Sequence, residues 1–272
     1  MPELLLEQVT FAYPSGVRVF EPPGLTLQLD TGSTALVGEN GAGKTTLTKL
    51  LNGLLRPTAG GVMVAGNPVA RRSVAQMAAV VGYAFQNPDD QLFERTVYDE
   101  VAFGPRAMRR PASRVSAAVD MALEVCGLTP NAKTHPHDLG LPERKWVTIA
   151  SALAVEPPVL VLDEPTLGQD WLAKERLTAL IRSLSADRLV LLVSHDMDFV
   201  AEACATTVVL TRGAIRYAGE TVGAFADQAM IEEAGLELPH TTRLGLALGM
   251  KPAPVGEAAF VSAWRARHRG AL

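Results

Sequence analysis

The 272-residue sequence has few cysteines, no long apolar run and no excess of positive charge. Its two cysteines, Cys126 and Cys204, lie in separate helix-like segments without metal-site spacing, so we expect buried free thiols in a reducing compartment. No apolar run reaches the ~18 residues of a membrane-spanning helix, and no secretory signal is expected. The net charge of −4 argues against a general nucleic-acid binder, so no nucleic-acid partner is expected. Because no membrane-spanning helix is expected, any work at a membrane would depend on a partner protein.

One glycine-rich stretch fits the phosphate-binding pattern G-x-x-x-x-G-K-[ST], with an apolar strand before it and a helix-like run after it. Backbone N–H groups of such a loop surround an anion at a helix N-terminus. We expect Lys44 to reach the β- and γ-phosphates of a nucleotide and the Thr45 hydroxyl to bind Mg²⁺. A glycine-rich turn with a lone lysine is the alternative, which this context disfavours. The residues predicted to hold the nucleotide are Gly38, Glu39, Asn40, Gly41, Ala42, Gly43, Lys44, Thr45 and Thr46.

A second stretch carries two adjacent acids at the end of an apolar strand, Val159 to Glu164. Asp163 is suited to hold Mg²⁺, and Glu164 can act as the general base toward an attacking water. A strand that ends in a solvated turn is the structural alternative. Together the two stretches predict a site for ATP and Mg²⁺.

Strands alternate with helices along the chain, which predicts an α/β fold with a mostly parallel, doubly wound sheet. Alternating patterns at 4–11 and 25–29 predict an N-terminal antiparallel part, with a turn at Pro22-Pro23-Gly24. Helical periodicity from about residue 95 to 155 predicts a helical subdomain inserted into the core. We expect a nucleotide-binding domain over 1–222 and a helical extension over 223–272.

The order of these features resembles the nucleotide-binding subunits of ABC transporters over about residues 3–220. The resemblance implies a P-loop NTPase core of the RecA-like type and ATPase activity. It implies that Gln86 reaches Mg²⁺ and the γ-phosphate, that His195 holds the γ-phosphate and orients water, and that Tyr13 stacks on adenine. Asp170 occupies a position that the family places at the dimer seam. Taken alone, a histidine or glutamine at a strand end is more often structural, and a tyrosine such as Tyr13 more often packs.

The stretch from Gln86 to Phe93 resembles the corresponding segment of energy-coupling factor (ECF) importers of vitamins and of cobalt or nickel. That resemblance implies a membrane-embedded coupling (T) subunit, a substrate-binding (S) subunit and a position on the cytoplasmic face of the membrane. A helical tail such as residues 234–249 helps two ATPase subunits pair in those systems. A turn that caps a helix, or another type of ABC importer, is the alternative.

The sequence departs from the family where a Leu-Ser-Gly-Gly-Gln signature is normally found, because it carries Leu139-Gly140-Leu141-Pro142-Glu143 instead. Gly140 lacks the serine hydroxyl, Leu141 is bulky, Pro142 lacks an N–H, and Glu143 adds negative charge. In the family this segment completes the opposite subunit's site. We therefore expect a heterodimer with a second ATPase subunit. A regulatory subunit that binds ATP but hydrolyses little of it, and a soluble ABC ATPase acting on DNA or ribosomes, are rival interpretations.

Overall fold

The computed structural model describes residues 3–268 and contains two β-sheets surrounded by helices. The strands are β1 (Leu4–Ala12), β2 (Arg18–Leu29), β3 (Gly32–Val37), β4 (Ala59–Val64), β5 (Asn67–Pro68), β6 (Val81–Ala84), β7 (Val159–Asp163), β8 (Leu189–Val193), β9 (Thr206–Thr211) and β10 (Ala214–Glu220). The α-helices are α1 (Lys44–Leu51), α2 (Val74–Met77), α3 (Val97–Ala107), α4 (Ala112–Val125), α5 (Leu141–Ala154), α6 (Trp171–Leu184), α7 (Met197–Ala203), α8 (Thr221–Ala226), α9 (Gln228–Glu233), α10 (His240–Ala247) and α11 (Glu257–Arg267).

The larger sheet has the strand order β10-β9-β3-β8-β7-β6. All neighbouring pairs in it are parallel except β10 with β9. Its central strands β7 and β8 are buried at every position because both faces of the sheet are covered. Successive residues of β7 face different cores: Leu160 packs with the helices, whereas Val159 and Val161 pack with the other sheet. The predicted α/β fold is thereby confirmed.

The smaller sheet is antiparallel and has the order β2-β1-β4-β5. In its strand β2 the predicted turn is wrong. The expected turn at Pro22-Pro23-Gly24 lies inside β2, and the register with β1 shifts beside it, between Val9 and Phe11. Register shifts of this kind let a strand continue past residues that cannot join the ladder. Gly24 is required there because a Cβ would come within 2.5 Å of the Gln8 backbone.

Helices α3, α4 and α5 lie between β6 and β7 along the chain, and they pack on one another and on the central sheet. The C-terminal helices differ in how deeply they are buried. Side chains of α8 and α9, such as Phe225 and Ile231, belong to the same apolar cluster as the central sheet, whereas α11 has no buried residue. No helix within residues 3–268 is both long enough and apolar enough to cross a bilayer.

Candidate active site

The glycine-rich loop joins the end of β3 to the start of α1 and has a backbone that only glycine fits at two points. Gly38 has a φ of 151°, and a Cβ there would lie 2.0 Å from the Leu210 carbonyl oxygen. Gly43, the N-cap of α1, has a φ of 108°, and a Cβ would lie 2.7 Å from the Phe20 ring. The first N–H groups of α1 have no partner within the helix, so they are free to bind an anion.

Four more predicted residues lie at or just after the carboxyl ends of β6, β7 and β8, the three strands on one side of β3 in the sheet. Parallel strands bring their carboxyl ends to one edge, so Gln86, the Asp163-Glu164 pair and His195 come together beside the loop. They line a cleft of about 310 Å³. The predicted residues that line it are Tyr13, Asn40, Gly41, Gly43, Lys44, Thr45, Thr46, Gln86, Asp163, Glu164 and His195. Gly38, Glu39 and Ala42 do not line it; they shape the loop beneath.

The Lys44 side chain is folded onto its own loop. Its Nζ donates to the Gly38 carbonyl at 2.6 Å and to the Glu39 carbonyl at 3.0 Å. Burial lowers the pKa of Lys44, while the nearby carboxylates of Glu164, Asp163 and Glu39 act in the opposite direction. Burial disfavours the charged form of this lysine. An anionic ligand beside the ammonium group would favour the charged form and so compensate for the lost solvation.

Asp163 is held by a residue that the sequence analysis did not single out. The Tyr83 hydroxyl donates to Asp163 Oδ2 at 2.7 Å and lies 3.0 Å from the Thr48 hydroxyl of α1. Burial raises the pKa of Asp163, and burial together with the Asp163 charge also raises the pKa of Tyr83. The tyrosine therefore stays protonated and fixes the orientation of the carboxylate.

Glu164 is constrained at both its backbone and its side chain. Its φ of 47° is in the left-handed region, which costs on the order of 1 kcal/mol or more for a residue that is not glycine. Its N–H donates to the Val193 carbonyl at 2.8 Å. Its Oε1 lies 3.1 Å from Nε2 of His195, and its Oε2 lies 3.4 Å from the His195 N–H. Burial raises the pKa of Glu164 to about 7, and burial lowers the pKa of His195.

A second residue missed at the sequence level is Lys145 of α5, whose side chain is only 1 % exposed. Its Nζ donates to the carbonyls of Phe85, Gln86 and Glu164. Burial lowers the pKa of Lys145 to about 8, while the charges of Asp163 and Glu164 oppose that shift. The sequence holds no local signal for this contact because its partners are 19 to 60 residues away.

Tyr13 and Gln86 keep accessible surface toward the cleft. Tyr13 follows β1, its ring packs edge-on against Phe11 with centroids 4.9 Å apart, and its hydroxyl lies 3.0 Å from that of Thr46. Gln86 is exposed and follows β6. Asp170 does not line the cleft; its carboxylate caps α6 by accepting the Ala173 N–H at 2.8 Å.

Residues 140–143 of the altered segment are exposed at the N-cap and first turn of α5, whereas Leu139 is buried before the helix. A side chain of the segment itself caps this helix start. The carboxylate of Glu143 accepts the Gly140 N–H at 2.9 Å, as in a capping box. Gln169 donates to the Pro142 carbonyl at 3.0 Å and accepts from the Trp146 indole at 3.2 Å. The segment is therefore fixed within its own subunit.

A glycine-rich loop on a parallel sheet, with acids at the end of a nearby strand of the same sheet, defines the class of P-loop nucleoside-triphosphate-binding proteins.

A family model described as ABC transporter matches residues 23–167. A Streptomyces avermitilis protein, named provisionally as an ABC transporter ATP-binding protein, is 41% identical over 239 residues, 88% of this chain and 90% of that one. The energy-coupling factor transporter ATP-binding protein EcfA of Methanocaldococcus jannaschii is 37% identical and covers 86% of this chain and 85% of that protein.

Among solved structures, cbiO1 from Clostridium perfringens, described as part of the ABC transporter complex cbiONQ, matches with a TM-score of 0.77. It is 29% identical, and the match covers 92% of this chain and 99% of that chain. The chain belongs to the ABC transporter family. It is an ATP-binding ATPase of a transporter, which confirms the predicted enzyme class.

Proposed function

We propose that this chain hydrolyses ATP to power an ECF-type importer of vitamins or transition-metal ions, as a peripheral subunit on the cytoplasmic face of the membrane. The observation that carries the hydrolytic part is the convergence of Lys44, Asp163, Glu164 and His195 on one cleft. The names of the relatives EcfA and cbiO1 support the importer type.

The cleft has the donors that a nucleotide requires. Backbone N–H groups of the loop from Gly38 to Thr46 and the N-terminus of α1 would hold the phosphates. Lys44 would leave the Gly38 and Glu39 carbonyls and bind the β- and γ-phosphates. Tyr13, whose ring stands at the rim of the cleft, would stack on adenine.

The oxygen donors of the cleft suit Mg²⁺. Hydroxyl, carboxylate and amide oxygens from Thr45, Asp163 and Gln86 all line it, and Mg²⁺ prefers such ligands. These residues would hold the ion beside the phosphates, where it would supply positive charge against the negative charge that develops on them. The Tyr83 hydroxyl bonds Asp163 Oδ2 and not Oδ1. Tyr83 would therefore fix the carboxylate in an orientation that leaves Oδ1 available to Mg²⁺.

Glu164 would take the proton of the attacking water, and His195 would hold the γ-phosphate and orient that water. A pKa near 7 suits a general base at neutral pH, and burial of Glu164 supplies that pKa. The positive φ of Glu164 and its N–H bond to Val193 keep the carboxylate directed at the cleft.

The coupling subunit would dock beside the segment from Gln86 to Phe93. An apolar groove of about 430 Å³ lies there, between the core and helix α3. Phe93 and Phe103 are exposed at its edge, with ring centroids 4.8 Å apart in edge-to-face packing. Exposed aromatic pairs of this kind are frequent at protein interfaces. A separate substrate-binding subunit would select the solute.

The second ATPase subunit is supported by the chemistry of the segment at 139–143. The start of α5 offers no serine hydroxyl, its Gly140 N–H is already bonded to Glu143, and that carboxylate would repel a γ-phosphate. A heterodimer would pair this chain's complete cleft with an unaltered signature from the other subunit. The helices after residue 222 would contribute to that pairing.

The experiment is to purify the chain from membranes with its bound proteins and compare the wild type with Glu164→Gln in single-turnover hydrolysis. We expect a coupling subunit, a second ATPase and a substrate-binding subunit to co-purify. We also expect the variant to retain ATP and hydrolyse it at least about a hundredfold more slowly, because the base is lost. Unchanged hydrolysis in Glu164→Gln would remove Glu164 from this role.

The regulatory alternative is favoured by one observation, the self-capped start of α5. The same assembled complex separates the two functions. If wild-type complex binds ATP in this chain's cleft and leaves it unhydrolysed through a single turnover, the regulatory role is correct. Vigorous turnover by the isolated chain would instead contradict the heterodimer.

A further inference from the structure

The buried ammonium group of Lys145 donates to three backbone carbonyls. Nζ lies 3.3 Å from the Phe85 oxygen, 3.0 Å from the Glu164 oxygen and within hydrogen-bond distance of the Gln86 oxygen. A lysine ammonium has three N–H donors, so every donor has an acceptor. Such complete satisfaction is what allows a charged lysine to remain inside a protein.

The three carbonyls belong to two strand ends that carry active-site residues. Phe85 and Gln86 follow β6, and Glu164 follows β7. At Glu164 the backbone is held on both sides, since its N–H donates to Val193 and its carbonyl accepts from Lys145. These two bonds fix a residue whose left-handed φ of 47° is intrinsically unfavourable.

Other side chains already join α5 to the segment after Gln86. Arg144 forms a 2.5 Å ion pair with Asp89, and Gln91 accepts the Phe85 N–H at 2.9 Å and donates to the Thr148 carbonyl at 3.3 Å. None of these bonds involves Glu164. Within the part of the chain that the structure describes, Lys145 is the side chain that bonds both to this segment and to Glu164.

We propose that Lys145 is a positioning residue that links the start of α5 and the Gln86 backbone to the placement of Glu164. Lys145 lies two residues after Glu143, so displacement of the exposed start of α5 would move the ammonium group and change its hold on the Glu164 carbonyl. The coupling runs from the altered segment at 139–143 into this subunit's own cleft. The inference rests on the proposed role of Glu164 as the base.

The test is Lys145→Met in the full chain, because methionine fills similar space without any donor. We expect ATP affinity within about threefold of wild type, since Lys145 does not line the cleft. Single-turnover hydrolysis in the assembled complex should fall about tenfold to a hundredfold, as expected when a catalytic group is slightly misplaced. Lys145→Gln, which keeps an amide donor, should lose less, and it replaces the methionine variant if that variant does not fold.

A second readout needs neither nucleotide nor activity. Hydrogen exchange of the Glu164 and Leu167 amides should be at least about tenfold faster in Lys145→Met, because the Leu167 N–H shares the Glu164 carbonyl with Lys145. The matched control is Arg110→Met. Arg110 binds the Ala154 and Val155 carbonyls at the other end of α5, away from the cleft. We expect it to lower Tm and leave hydrolysis within about twofold of wild type.

The outcomes separate the two proposals. If Glu164→Gln abolishes hydrolysis while Lys145→Met and Lys145→Gln leave both hydrolysis and amide exchange unchanged, the positioning role is wrong and the function stands. If Arg110→Met slows hydrolysis as much as Lys145→Met, Lys145 is merely structural. If Glu164→Gln itself leaves hydrolysis unchanged, Glu164 is not the base, and the positioning role that rests on it fails as well.

Discussion

At the scale of single residues, the cleft is assembled from groups that the fold places in unfavourable states. Glu164 combines a left-handed backbone with a carboxyl group whose pKa burial raises to about 7. Strain and burial of this kind persist because the surrounding structure holds them in place, and they are frequent at functional sites. Stability and activity should therefore oppose each other at this position.

Glu164→Gln should accordingly stabilise the protein in the absence of metal and nucleotide. In the unfolded chain the carboxyl ionises near pH 4.5, whereas burial holds the folded pKa at about 7. The folded state therefore loses relative stability as pH rises between these values, by up to about 3 kcal/mol. The glutamine amide of the variant cannot ionise, so the variant does not lose this stability.

Urea unfolding at pH 5 and pH 8, with EDTA present, measures the effect. The variant should exceed wild type by about 1–3 kcal/mol at pH 8 and by much less at pH 5. Glu175→Gln, on an exposed residue of α6, should change neither value. An equal or lower stability of Glu164→Gln at pH 8 would contradict the raised pKa.

The two cysteines give a second prediction at this scale. Both are free and buried, as the sequence analysis predicted, and burial raises the pKa of each thiol to about 12. Since the thiolate is the reactive form, labelling by a disulfide reagent at pH 8 should be about a thousandfold slower than for an exposed thiol. Spectrophotometric titration should find both thiols after unfolding in urea, and rapid labelling of the native protein would contradict this burial.

At the scale of elements, helix α5 connects the altered segment, the Gln86 segment and the central sheet. Trp146 lies on its buried side, where its indole donates to Gln169 and the Arg176 guanidinium sits 4.9 Å from its ring centroid. Trp171, at the start of α6, is 65% exposed instead. The two tryptophans therefore allow the same substitution to be compared at a buried and at an exposed position.

Trp146→Ala should lower the free energy of unfolding by about 3–5 kcal/mol, because it leaves a cavity and removes the indole donor from the Gln169 side-chain oxygen. Trp171→Ala should change it by less than about 0.5 kcal/mol in the isolated chain. Chemical denaturation followed by circular dichroism checks both values. A larger effect at Trp171 than at Trp146 would show that α5 is not packed as described.

At the scale of the whole molecule, the C-terminal helices are not equally separable from the core. Phe225 and Ile231 belong to the apolar cluster of the central sheet, and Leu238 also contributes to it. Helix α11 buries no residue. The expected boundary at residue 222 therefore cuts through a shared core, although the function of the segment beyond it stays a prediction.

Truncation separates these two parts of the tail. A chain that ends at residue 256 should keep a Tm within about 5 °C of the full chain, because α11 contributes no buried side chain. A chain that ends at residue 222 should lose more than about 10 °C or aggregate, since it exposes the core surface beneath Phe225. Thermal unfolding checks both chains, and equal Tm values would show that the tail folds independently of the core.

The sequence alone determined the phosphate loop, the Asp163-Glu164 pair and the alternation of strands and helices, because each depends on residues that are adjacent along the chain. Only the tertiary structure decided that β2 continues through Pro22-Pro23-Gly24, since pairing with β1 outweighs the local preference for a turn. It also decided that Tyr83 holds Asp163, 80 residues away, and that Lys145 joins two strand ends. These contacts follow from which strands are neighbours in the sheet, and strand order has no counterpart in local sequence pattern.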